Sequence, residues 1–168
     1  GEQRAIAQKH FDSVRGLANT LVFDLYSSVV DIPGAIQARE KITSTALKYL
    51  DDLAREAGGD KALRVDLAKA YQRLGDVQGG ENGRGGGDRV SAMASYAKAQ
   101  ALLENVLHEE PGHATATMEL SRCLMLQSRV ILYQKGPEAA LAPALRSTEL
   151  IESLRPGSVD DYGLVSSQ

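Results

Sequence analysis

The chain has 168 residues, enough for one domain with a real core. Apolar residues make up 43% and charged residues 24%, the balance of an ordinary globular protein rather than a disordered or membrane-embedded one. The net charge is −3 and no basic block stands out, which argues against nucleic acid or an anionic membrane surface as partner. No stretch reads as a transmembrane span or a signal peptide, and the opening Gly1 in place of Met leads us to expect a fragment of a longer protein. Trp is absent, aromatics are few and alanine is frequent, a composition that favours helices packed closely through small residues.

Six helical segments are expected. The first spans about Glu2 to Val30, with Val14, Leu17, Leu21, Leu25 and Val29 on one face. Pro33-Gly34 stops it, since proline cannot continue a helix and glycine permits the turn. The second, from about Ala35 to Ala57, carries the stripe Ala38, Ile42, Thr45, Tyr49, Leu53 and Ala57. Gly58-Gly59 ends it and Asp60 is placed to cap the third, whose stripe is Leu63, Leu67, Ala70, Tyr71, Leu74 and Val77. A glycine-rich run over 79–87 follows. Asp88 then caps a fourth helix bearing Ala92, Tyr96, Ala99, Leu103 and Val106. Pro111 suits the first turn of a fifth, with Leu120, Cys123, Leu124 and Ile131 inward. Gly136-Pro137 repeats that stop-and-start, and the sixth helix holds Ala140, Ala144, Ile151 and Leu154. The domain thus covers 1–155, and 156–168 is a flexible polar tail.

The motifs that invite chemistry read as structure. The 79–87 run lacks the Lys-Ser/Thr that a phosphate loop needs and is followed by Asp88, so it is a flexible inter-helix insertion. His108 and His113 lie five apart across Pro111 and do not converge as metal ligands. Asp51-Asp52 and Glu109-Glu110 are adjacent pairs whose side chains diverge by about 100° on a helix. Cys123 sits among Leu120, Leu124 and Met125 as a buried, inert thiol. Neither catalysis nor a cofactor or metal is expected.

Leu67-Ala68-x-x-Tyr71-x-x-x-Gly75, then Ala92-x-x-x-Tyr96-x-x-Ala99, then Pro111 resembles one tetratricopeptide (TPR) repeat. Weaker echoes run from Leu120 and Ser121 through Ala140, Ala144 and Ser147, and from Leu21 through Ala38 and Ile42. The resemblance implies an all-α fold, a right-handed stack of three antiparallel hairpins with irregular repeats. Its inner turn is about a dozen residues longer than the family's. Ala46-Leu47-x-Tyr49-Leu50-Asp51 and Tyr71-Gln72-Arg73-Leu74-Gly75-Asp76 are also similar to the region that follows the catalytic domain in TPR-bearing bacterial serine/threonine kinases. By that resemblance the chain is a docking or regulatory module, in the cytoplasm, or outside it if the parent protein carries a span upstream.

In such a stack the first helix of each pair lines a peptide-binding groove. Its candidate residues here are Asn19, Phe23 and Tyr26, then Lys69, Gln72 and Arg73, then Arg122, Met125 and Leu126. Basic side chains beside amides suit a peptide carboxylate or an acidic segment. Self-association through the exposed ends of the stack is the alternative function, and a small-molecule sensor is a third.

Overall fold

The computed structural model describes residues 32–80 and 87–155, with scattered positions between Gly1 and Ser28. Every regular element among these residues is helical. Five helices are complete: α1 (Ile36–Glu56), α2 (Lys61–Gly79), α3 (Arg89–Glu109), α4 (Ala114–Lys135) and α5 (Pro137–Ser153). Most of the described positions before Ile32 are helical too. The expected inward row of that first segment, residues 81–86 of the glycine-rich run and the tail from Pro156 lie outside the described residues.

Local chemistry sets most of the boundaries. Gly34 takes φ 83 in the turn that precedes α1, a left-handed conformation that side chains disfavour. The Asp60 carboxylate accepts the Leu63 amide at 3.0 Å and opens α2. Asp88 does the same for Ser91 at 2.9 Å and opens α3. Gly136, at φ 88, ends α4, and Pro137 enters α5 where its missing N–H costs nothing. Pro111 departs from expectation. Pro111 and Gly112 form a turn, and α4 begins only after His113, whose Nδ1 accepts the Ala116 amide at 3.1 Å. An imidazole acceptor thus does what a Ser or Asp cap does elsewhere.

The chain divides into two compact units, Gly1–Leu102 and Leu103–Gln168, with the division inside α3. In the first unit, α1 buries Ala46, Leu50 and Leu53, and Ala57 is buried just past its end; of the expected row, Leu53 and Ala57 are thus inward and Ile42 and Thr45 half-buried. Ala38 and Tyr49 are exposed. Steps of three and four allow both rows, and the observed one buries Leu50 while the Tyr49 ring keeps its hydroxyl near water. α2 buries Leu63, Leu67, Ala68, Tyr71, Leu74 and Gly75, an arc wide enough to pack on two sides. The Tyr71 hydroxyl donates to Asp51 Oδ1 on α1 at 2.6 Å, and the Tyr96 hydroxyl of α3 donates to Asp76 Oδ1 on α2 at 2.7 Å. Both bonds join residues 20 apart, so α2 and α3 each dock on the preceding helix by one repeated device.

Gly75 and Gly79 let α3 come close. A Cβ at Gly75 would lie under 3.0 Å from three atoms of the Tyr96 ring, and one at Gly79 would meet the Ala92 Cβ at 3.4 Å. Gly87 has no such room, since a Cβ there would overlap the Gly79 carbonyl. The two ends of the glycine-rich run therefore touch.

In the second unit Leu103, Val106, Ala116, Leu120, Cys123 and Leu124 are buried. The expected row on α4 holds, with Ile131 half-buried at its end. α4 and α5 are joined by buried serines. Ser121 Oγ donates to the Ser147 carbonyl at 3.0 Å, Ser147 Oγ returns the bond to the Ser121 carbonyl at 2.8 Å, and Ser128 Oγ donates to the Ala140 carbonyl at 2.8 Å. Small side chains that satisfy their own hydroxyls permit close helix approach without leaving a polar atom unpaired. Ile151, expected inward on α5, is 42% exposed because this contact row runs through Ala140 and Ser147 instead.

Candidate functional site

Polar side chains gather in the first unit around Asp51. Its Oδ1 accepts the Tyr71 hydroxyl and also lies 2.6 Å from Lys98 Nζ, which stands 5.8 Å from the centre of the Tyr71 ring. Burial pushes the Tyr71 phenol well above its usual range, and the hydrogen bond to Asp51 and the charge of that carboxylate push it further. A phenol so strongly held in its neutral form cannot act as a base near neutrality. The Lys98–Asp51 pair is partly exposed, so water screens it and its contribution is small, about 0.2–1 kcal/mol. The cluster ties α1, α2 and α3 together. Among the described residues, no three His, Cys, Asp or Glu side chains gather as metal ligands would. Cys123 is buried at 0% exposure, with Gln127 Nε2 3.8 Å from its sulfur.

The residues expected to bind a peptide fall into three groups. Asn19, Phe23 and Tyr26 lie outside the described residues. On α2, Arg73 is exposed and Lys69 half-exposed, with Lys69 Nζ 4.0 Å from Asp66. Gln72 is only 1% exposed: it falls inside the wide arc by which α2 packs, so it offers no surface to a guest here. On α4, Arg122 and Met125 are exposed and Leu126 is half-buried.

Arg122 and Met125 belong to a longer row. Met118, Arg122, Met125, Arg129 and Leu132 follow one another at steps of four and three and are all exposed. Met118 is 56%, Met125 51% and Leu132 46% exposed. Singly exposed apolar residues are common, whereas these share one face of one helix. Thioether side chains bend to fit, and guanidinium groups grip carboxylates. The exposed positions of α4 include no Asp or Glu, although the chain as a whole is acidic. The seven-residue recurrence of Met118, Met125 and Leu132 is the signal that extends the row beyond Arg122 and Met125. None of the described helices is long and apolar enough to cross a membrane. No protein-family model matches the chain, nor does any curated protein or solved structure match it significantly.

Proposed function

We propose that the chain is a protein–protein interaction module built as a TPR-like stack of helical hairpins, the docking or regulatory region of a larger bacterial signalling protein such as a serine/threonine kinase. It receives a peptide segment of its partner on exposed helix surface. The observation that carries this reading is the alternating Met and Arg row on α4. The repeated tyrosine–aspartate joint between successive helices supports the repeat architecture, because stacked units reuse one packing solution. A rigid helical scaffold loses little freedom on binding, which lets a modest contact area hold a peptide.

The test is selection from a displayed random-peptide library on the immobilised protein, with Met125→Asp and the pair Lys69→Ala/Arg73→Ala as competitors. Enriched peptides that Met125→Asp fails to retain support the reading. Absence of any enriched peptide removes it, and retention unchanged by the Lys69/Arg73 pair removes α2 from the site. Self-association is the second reading, and exposed Leu141 (56%) and Leu145 (53%) on α5 favour it. A strict monomer in sedimentation at high concentration excludes it.

A further inference from the structure

The two helices of the second unit put their exposed apolar residues on one side. α4 and α5 run antiparallel and meet at Ser121 with Ser147 and at Ser128 with Ala140. Each step along a helix turns by about 100°. Since the two chains run in opposite directions, equal turns from the contact line lead to the same side of the pair. Met118 and Met125 precede Ser121 and Ser128 by three residues, a net turn of about 60°. Ile151 follows Ser147 by four residues, a net turn of about 40° in the same sense, and Leu141 follows Ala140 by one. Met118, Met125, Ile151 and Leu141 therefore lie on one side of the α4–α5 pair, and Arg122 and Arg129 stand on the α4 part of that face.

We propose that this face receives an acidic amphipathic helix from a partner protein. The proposal rests on the interaction reading above and names the guest. The period of the row decides between a helix and an extended strand. Met118, Met125 and Leu132 recur every seven residues, as do Arg122 and Arg129, and a seven-residue repeat is the register in which one helix meets another. The charge decides the guest's composition. Two exposed guanidinium groups flank the apolar row, and the one carboxylate of α4, Glu119, is half-buried, so the fully exposed charge of this helix is positive. The partner helix thus carries large apolar residues every seven positions with Glu or Asp beside them.

The probe is a fluorescein-labelled synthetic 21-residue helix of about six turns, with leucine in the heptad row and glutamate flanking it. A second peptide replaces glutamate by lysine, and a third carries two central prolines. Anisotropy against the full chain at physiological salt reads the affinity. The glutamate helix binds at least about tenfold tighter than either control, Arg122→Glu with Arg129→Glu inverts the preference towards lysine, and Met125→Asp loses about tenfold. Circular dichroism and melting of these surface variants stay at wild-type values. Equal binding of glutamate and lysine peptides, or of the proline peptide, overturns this proposal while the interaction reading stands. No binding of any peptide, joined to an empty library selection, overturns both. A dimer in sedimentation that Met125→Asp dissolves makes a second copy the occupant and overturns the proposal. So does a tenfold gain in affinity on removing residues 156–168, which makes the chain's own tail the occupant.

Discussion

Gly75→Ala sets a general rule against a particular contact. In a helix interior, alanine is favoured over glycine by about 1 kcal/mol, because glycine loses more backbone freedom on folding. Gly75 lies inside α2 and the substitution should stabilise it on that ground alone. The new Cβ, however, would come under 3.0 Å from Cδ1, Cε1 and Cζ of Tyr96. That ring cannot swing aside freely, since it is 1% exposed and its hydroxyl is held by Asp76 at 2.7 Å. Overpacking of this kind costs about 1–3 kcal/mol, and a disturbed bond to a carboxylate adds about 1 kcal/mol or more. The steric loss exceeds the propensity gain, and the net destabilisation is about 2 kcal/mol. Urea denaturation followed by circular dichroism reads it as a lower midpoint with unchanged slope, and thermal melting as a fall of about 4–8 °C. In a Tyr96→Ala background the ring is gone, and the same change should stabilise by about 1 kcal/mol. A raised midpoint in the otherwise wild-type chain, or equal effects in both backgrounds, would refute the reasoning.

The Asp88 carboxyl is held below its ordinary range by the Ser91 hydroxyl and then by the Ser91 amide. A lowered folded pKa adds stability above the usual carboxylate range that is lost as pH falls through it, so the advantage of wild type over Asp88→Asn should shrink between pH 6 and pH 3, roughly the window of an Asp titration. The Tyr71 phenol is shifted the other way, so its contribution is present below about pH 10 and lost as pH rises above it; Tyr71→Phe should flatten the alkaline decline and cost about 1 kcal/mol at neutral pH, both measurable by urea titration. Pro143 lies inside α5, where it can donate no helical hydrogen bond to Ala139, and Pro143→Ala should stabilise by about 1–3 kcal/mol, read as a raised melting temperature. His113→Ala should cost about 1 kcal/mol by removing the cap of α4, and His113→Asp should restore it, since either side chain offers an acceptor to Ala116.

Helix starts were legible where an acidic cap follows glycine. Asp60 and Asp88 open α2 and α3 as their spacing implies, because a carboxylate before a helix has one good use for its lone pairs. Rows anchored by large residues were equally plain: Tyr71, Tyr96, Leu103 and Leu120 are buried as expected. The α1 row was plain only at its end, where Leu53 and Ala57 are buried; earlier, three- and four-residue steps fit both Tyr49 and Leu50, and only the docked neighbour selects between them. Gln72 was missed for a related reason. A helix packed on one side exposes the position beside Tyr71, whereas one packed on two sides buries it. Ser121 and Ser147 stood in the weak repeat echo as small residues, but the spelling gave no sign that their hydroxyls bond across 26 residues. The sixth helix was expected to run through Pro143 to about Leu154, and α5 does run through it.

The contact between Gly79 and Gly87 makes the intervening stretch a side road whose entrance and exit coincide. Its length is then nearly immaterial to the helices it joins, since doubling such a loop adds only about 0.6 kcal/mol of closure entropy. A reporter protein spliced between residues 81 and 86 should leave the α2–α3 joint standing, and so would an inserted domain acquired in evolution. The molecule thereby keeps a port for new cargo at a place where its scaffold does not register the addition.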